Sequence, residues 1–315
     1  MTTQDLGQDQ AVDDGATGDP QQPDLLPIRD VARITGVNPV TLRAWERRYG
    51  LIVPHRTPKG HRLYDADHVA KIQAILTWID RGVTIGQVKG LLRDEQPAQV
   101  EIPSFWGDQR QHLVEAISNL DERRLDDCFN SALSLYPPQT LCQQLLLPLF
   151  DQLELRWRGQ FGAQAERVFF HSWLRSKLGS RVYHANRQRS GRPLLLINLS
   201  DRVMEPGLWL TAWLTSDAGY PVNALDWPIP PNELALAVEH IQPRALLLYS
   251  SQALKIAHLP HLVTGYDCPS LIIVPTVHIQ GHALRVLMEG QSSPQLADSP
   301  LTALHMLTEL NLLDS

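Results

Sequence analysis

The sequence predicts a multidomain chain of α and α/β class. It reads as a winged helix-turn-helix head, a four-helix bundle, and a parallel sheet with helices on both faces, Rossmann-like or flavodoxin-like. Three observations carry this. Between Leu26 and Leu92, short helix-periodic stretches are punctuated by good caps and a cation-rich turn. From Leu113 to Val182, apolar residues recur at three- and four-residue spacing. From Arg192 onward, short apolar runs of strand length alternate with helix-like stretches. A chain of 315 residues is long enough for two or three such cores.

Residues 1–24 hold six acids and no base, are rich in Gln, Asp, Gly and Pro, and are expected to be disordered. The head spans 25–93. Ile28, Val31, Ala32 and Ile34 set a short amphipathic helix from Pro27 to Thr35, with Pro27 in the first turn. Gly36 stops it and Val37 fills the turn. Asn38 caps a second helix, from Pro39 to about Tyr49, with Pro39 at its first position. Leu42 and Trp45 can face the first helix, while Arg43 and Arg47, four apart, share another face with Thr41 and Arg48 beside them. The segment Ile52 to Tyr64 places His55, Arg56, Lys59, His61 and Arg62 around Pro58 and Gly60, a hairpin with a basic rim. Two further helices are expected, Asp65 to Asp80 and Thr84 to Leu92, with Tyr64, Leu63 and Trp78 in the core.

Charge is distributed unevenly. The head carries 12 Lys/Arg against 5 Asp/Glu, a net of +7, although the whole chain is at −6. A helix with cations on the side away from its core can enter a major groove, where arginine reads guanine edges or holds phosphates. The local basic patch is the electrostatic footprint of such binding. Its expected partner is double-stranded DNA.

Residues 94–103 read as a linker and 104–190 as the bundle. Leu113, Ala116, Ile117 and Leu120 form the first stripe; Ala132, Leu133 and Leu135 belong to the second helix, which ends at Pro137 and Pro138. Leu141, Leu145, Leu149, Leu153 and Trp157 mark the third. The fourth, from about Ala163 to Arg187, carries Val168, Phe169, Trp173, Leu174, Leu178 and Val182. Four antiparallel helices joined by short turns pack economically. His171 on the last helix is expected to be structural.

In residues 191–315, strands are expected at 194–200, 222–227, 245–250 and 271–275. Helices are expected at Glu205 to Asp217, Asn232 to His240, Leu254 to Val263 and Pro300 to Asn311. Ligands of such sheets bind beyond the carboxyl ends of the strands, which points to Ser200–Gly207 and Tyr249–Gln252. Trp209, Trp213 and Trp227 read as helix–sheet packing, part of which could receive a partner. No Gly-rich phosphate loop follows a strand, and no nucleophilic triad or paired-carboxylate motif is recognisable, so no enzyme is expected. His258/His261 and His278/His282 have helical spacing but no accompanying ligand pattern, so no metal site is expected. Cys128, Cys142 and Cys268 are odd in number and lack C-x-x-C spacing, as in a reduced cytoplasmic protein. No signal peptide or uninterrupted apolar span is recognisable, so no membrane is implied.

The stretch IRDVARITGVNPVTLRAWERRYGL and the wing ending KGHRLYDADHV resemble the MerR family of transcription regulators. The resemblance covers the head. It implies a dimer on promoter DNA, with contacts from Thr41, Arg43, Arg47, Arg48, Arg56, His61 and Arg62. His61 stands where many relatives carry tyrosine. Such a head followed by a bundle and a Rossmann-like domain resembles the CarH/LitR/MlrA branch. Its light-responsive members bind adenosylcobalamin between bundle and sheet.

Those members carry Glu-x-His-x-x-Gly after the first strand of the sheet, the histidine ligating cobalt. They also carry a bundle tryptophan followed by Glu-His. Here the hexapeptide is Arg202-Val203-Met204-Glu205-Pro206-Gly207, and Trp157 is followed by Glu166-Arg167. A thioether is a much weaker ligand than imidazole for trivalent cobalt. Trp157, Glu166, Met204 and Gly207 therefore mark a degenerate cofactor site. The reading is a DNA-binding regulator, a homodimer or higher oligomer, that lacks cobalamin and answers to a regulatory protein partner, in a LitR-like light response or MlrA-like biofilm control. The alternative is a CarH-like adenosylcobalamin photosensor; a corrinoid enzyme subunit is a third reading.

Overall fold

The computed structural model describes residues 25–92, 105–159, 161–254, 268–275 and 294–310. The expected acidic tail, the linker 94–103, most of the Leu254–Val263 helix and the pairs His258/His261 and His278/His282 lie outside them.

The head begins with β1 (Leu26–Pro27), α1 (Ile28–Thr35) and α2 (Pro39–Ala44), which continues as a π-helical turn, Trp45–Tyr49. The wing follows as β2 (His55–Arg56) and β3 (Arg62–Tyr64), then α3 (Ala66–Asp80) and α4 (Ile85–Leu91). Gly36, at φ 71°, closes α1 in the left-handed conformation that an L side chain resists, and its N–H donates to the Ala32 carbonyl. The Asn38 side chain accepts from the Val40 N–H, capping α2. Two details depart from expectation. Pro27 lies outside the helix, pairing with Leu63 across an antiparallel edge, so the wing has three strands rather than two. Proline, which has no N–H to give a ladder, is tolerated at such an edge. The last turn of the second helix is also wider than α.

The bundle comprises α5 (Phe105–Ser118), α6 (Glu122–Leu133), a third helix and α9 (Ala163–Asn186). The third runs unbroken as α7 (Pro138–Leu141), a π turn (Cys142–Leu146) and α8 (Leu147–Arg156). Leu141, Leu145, Leu149, Leu153 and Trp157 are all buried as their spacing predicts. Leu120 is not: it sits exposed at φ 53° in the turn between helices. Leu135 lies beyond the end of α6, and Val168 points outward while Phe170 takes the core position. Helical phase near a chain end shifts with one residue of turn, and apolarity alone cannot register that.

The sheet has five parallel strands: β4 (Leu194–Asn198), β5 (Val222–Leu225), β6 (Ala245–Tyr249), β7 (Ser270–Ile273) and β8 (Gln295–Ala297). Their order is β5-β4-β6-β7-β8, the flavodoxin-like alternative. The edge strand β8, only three residues long, had no apolar run to announce it. Helices α10 (Pro206–Asp217), α11 (Pro231–Ile241) and α12 (Pro300–Glu309) accompany the sheet. Leu194 and Leu196 face one side and Leu195 and Ile197 the other, and the two sets fall in separate buried clusters. The first cluster is continuous from the head through the bundle to the sheet. Helix α10 is buried almost all round, packed on α9 and α12, with Trp209 and Trp213 inside. Trp227, expected to pack with them, is instead 61% exposed. Cys128, Cys142 and Cys268 form no disulfide with one another. No helix of the described residues is long and apolar enough to cross a membrane.

Candidate nucleic-acid interface and sensor cleft

The head sorts its seven predicted contacts into three groups. Arg43 and Arg47 stand exposed on the outer face of α2 and its π turn, and His61 is exposed at the wing tip. Arg56 and Arg62 are tied to one carboxylate, Glu46. Arg56 Nη2 donates to Oε1 at 2.6 Å and Arg62 Nε donates to Oε2 at 2.5 Å. Partial burial would raise the Glu46 carboxyl, but the two guanidiniums outweigh it and hold it below its ordinary value. The ionised Glu46 thus fixes wing to recognition helix. Thr41 and Arg48 turn toward the bundle: Thr41 is 2% exposed, and Arg48 Nη1 reaches Ser134 Oγ at 3.4 Å.

That contact belongs to a wider junction. The Trp45 indole N–H donates to the Leu135 carbonyl at 2.8 Å, and the Ile85 N–H donates to the Tyr136 hydroxyl at 3.2 Å. Thr140 Oγ1 and Gln144 Nε2 both donate to Asp80, on its side chain and carbonyl. The turn after α6 and the start of the third bundle helix therefore hold the head at Trp45, Asp80 and Ile85, a role that the turn's sequence, LYPP, did not disclose.

The second site is a cleft of about 460 Å³ between α9 and the carboxyl ends of β4 and β5. Arg167, Val168, His171 and Arg175 line one wall; Arg202, Val203, Met204 and Trp227 line the other. The β4–α10 loop that carries Met204 is held by its own polar network. Asn198 Nδ2 donates to the carbonyls of Arg202 and Asp226, and Asn198 Oδ1 accepts from the Ser200 N–H and hydroxyl. Of the four residues marked from sequence, Met204 alone lines the cleft.

Trp157 and Glu166 lie behind it. Glu166 accepts two hydrogen bonds from Arg156 and one from the Trp157 indole at 2.9 Å, and its carboxyl is lowered chiefly by Arg156. The Arg167 guanidinium covers the Trp157 ring, 5.1 Å from its centroid. Gly207 is needed because the Tyr249 phenol fills the space beside it: a Cβ there would sit 1.9 Å from the hydroxyl oxygen. His171 rests against Trp157, ring centroids 5.8 Å apart. Burial, with Arg167 and Arg202 nearby, pushes its imidazole down to about 4, so it is neutral at pH 7. The cleft's cations face acids: Arg175 is ion-paired with Asp226, and Arg167 and Arg202 flank Glu154.

Comparison with known proteins agrees with this two-part layout. Residues 26–95 match the MerR HTH family regulatory protein model, and residues 109–181, within the bundle, match the B12 binding domain. The HTH-type transcriptional regulator MlrA of Escherichia coli K12 is 34% identical over 203 residues, covering 64% of this chain and 79% of that one. MlrA of Salmonella typhimurium LT2 is 35% identical over 205 residues, with the same coverage. The HTH-type transcriptional repressor CarH of Myxococcus xanthus is 28% identical over 228 residues, covering 69% of this chain and 75% of its own. A helix-turn-helix with an outward cationic face, a wing locked to it, and this extent of shared sequence lead to one conclusion: the chain belongs to the MerR-type DNA-binding transcription regulators of the MlrA and CarH kind.

Proposed function

We propose that this regulator binds its promoter as a homodimer or higher oligomer, and that its sensor half works without cobalamin under the control of a protein partner. The observation that carries the reading is the lining of the cleft together with the packing behind it. Met204 presents a thioether where the light-responsive relatives are expected to offer imidazole, and Tyr249 occupies the space beside Gly207. Arg167 covers the tryptophan face on which a flat ligand would stack. A corrin with its nucleotide tail is larger than the ligands that fill clefts of roughly 300–1,000 Å³, and these residues do not fit it. The rim favours a protein instead: Val168, Val203 and Trp227 are exposed there, and Phe161 is fully exposed just before α9. This reading gives the protein a regulatory rather than a catalytic role, and places it in the cytoplasm with its promoter.

The match of the bundle to a B12 binding domain favours a second reading, a CarH-like adenosylcobalamin photosensor. Gel filtration in the dark with excess adenosylcobalamin separates the two. Corrin absorbance is expected to elute apart from the protein; comigration at equimolar ratio would overturn the cobalamin-free reading in favour of the photosensor.

A further inference from the structure

His55, Asp65 and His68 converge under the wing, outside both sites described above. Among the described residues they form a group whose ligand atoms all lie within 4.8 Å of one another. His55 stands on β2, Asp65 caps α3, and His68 is the third residue of that helix. His55 Nε2 lies 2.9 Å from Asp65 Oδ2, and His68 Nδ1 lies 2.6 Å from Asp65 Oδ1. His68 Nε2 lies 2.9 Å from the Val53 carbonyl, an acceptor that can take only a donated N–H.

From this geometry we propose that His55, Asp65 and His68 form a binding site for a divalent transition-metal cation of the Zn²⁺ class, which staples the wing to α3. The carbonyl of Val53 fixes the tautomer. With a proton on Nε2, His68 turns Nδ1 toward Asp65 Oδ1 at 2.6 Å and toward the Asp65 N–H at 3.4 Å, and either a second ring proton or a metal ion can sit between Nδ1 and the carboxylate. Donating the second ring N–H to a backbone carbonyl is the usual support of a metal-bound histidine. Two imidazole nitrogens and one carboxylate oxygen suit Zn²⁺, whose bonds of about 2.0–2.2 Å set tetrahedral ligand atoms roughly 3.3 Å apart. Opening the present contacts by well under 1 Å reaches that spacing. Hard, oxygen-seeking Mg²⁺ and Ca²⁺ are poorly served by two nitrogens. His55 is half exposed, which gives an entry path and a place for a water as fourth ligand. Binding would take the place of any proton on the two rings, and Asp65 would keep its cap from the His68 N–H. An ion here lies one residue from Arg56, so it adds positive charge beside a predicted DNA contact.

The test uses the full-length chain, stripped with EDTA and titrated with ZnCl₂ by isothermal calorimetry, wild type beside His55→Ala and Asp65→Asn. Subtraction removes contributions from histidines elsewhere. Wild type is expected to bind one equivalent more than either variant, and Zn²⁺ is expected to raise its Tm by several degrees more. MgCl₂ should do neither. Equal stoichiometry in all three proteins, or no Zn²⁺ binding by the wild type, would overturn the proposal. Circular dichroism of each variant confirms folding; the exposed His55 makes that variant the safer of the two, and its result alone decides.

Discussion

The head and the sensor cleft both gather arginines, and they use them in opposite ways. In the head one buried-edge carboxylate, Glu46, locks Arg56 and Arg62 into the wing, while Arg43 and Arg47 remain exposed on the helix beside them. In the cleft Arg175, Arg167 and Arg202 each lie against an acid of the surrounding walls, Asp226 or Glu154. The head therefore presents net positive charge to an outside polyanion. The cleft spends its charge internally and leaves an apolar rim. Similar composition gives a nucleic-acid surface in one place and cross-domain stitching in the other, and the location of the carboxylates makes the difference.

The comparison can be broken most severely at the junction. Trp45→Ala removes a fully buried indole that belongs to the head core and also bonds the bundle at Leu135. A loss of about 3–5 kcal/mol is expected. Thermal unfolding checks it; a smaller loss would mean that head and bundle hold together without this side chain.

The packing of the β4–α10 loop behind the cleft is next. Gly207→Ala forces a methyl into the Tyr249 phenol and is expected to cost about 2–3 kcal/mol. Tyr249→Phe in that background should recover only part of the loss, since the ring carbon Cζ still lies 2.5 Å from the added Cβ. Full recovery in urea unfolding would show that the hydroxyl alone made the clash.

On the head, Arg47→Ala is expected to weaken promoter binding by about 1–3 kcal/mol if it reads a base, or to lower the salt slope by about one if it holds a phosphate. Gel-shift titrations at two salt concentrations distinguish these. Wild-type affinity at low salt would remove the helix from the interface.

The smallest effect concerns His171. Its folded pKa of about 4 lies below the ordinary 6.5, so the unfolded chain binds more protons between those values. The neutral imidazole's contribution is complete above pH 6.5 and is lost as pH falls toward 4. Replacing it, as His171→Gln, should flatten the stability profile over that window by roughly 1–2 kcal/mol. An unchanged profile in urea melts at pH 4.5 and 7 would place the histidine in solvent.

Much of the fold was legible because its signals are local. Asn38 before Pro39, Gly36 at a helix end, and four leucines at four-residue spacing each specify backbone geometry within one or two turns. The short edge strand β8 was not legible, since three residues with one buried side chain carry no period. Of the site, the outward cations of α2 could be placed from spacing, but the Glu46 bridge could not. Glu46 reads as one acid in a basic run; only the fold brings it to Arg56 and Arg62, ten and sixteen residues away. The His55–Asp65–His68 group was hidden for the same reason, its members assigned separately to a basic rim and a helix start.

The sequence by itself determined the kind of head, the alternation that makes a parallel sheet, and the exchange of histidine for methionine at Met204, because each is written in residue identity and short-range period. Tertiary structure alone decided that Thr41 is buried against the bundle, that Arg167 covers Trp157, and that Tyr249 closes the space beside Gly207. Those outcomes depend on which side chains from distant segments compete for the same volume, and close packing resolves that competition only when the chain is assembled.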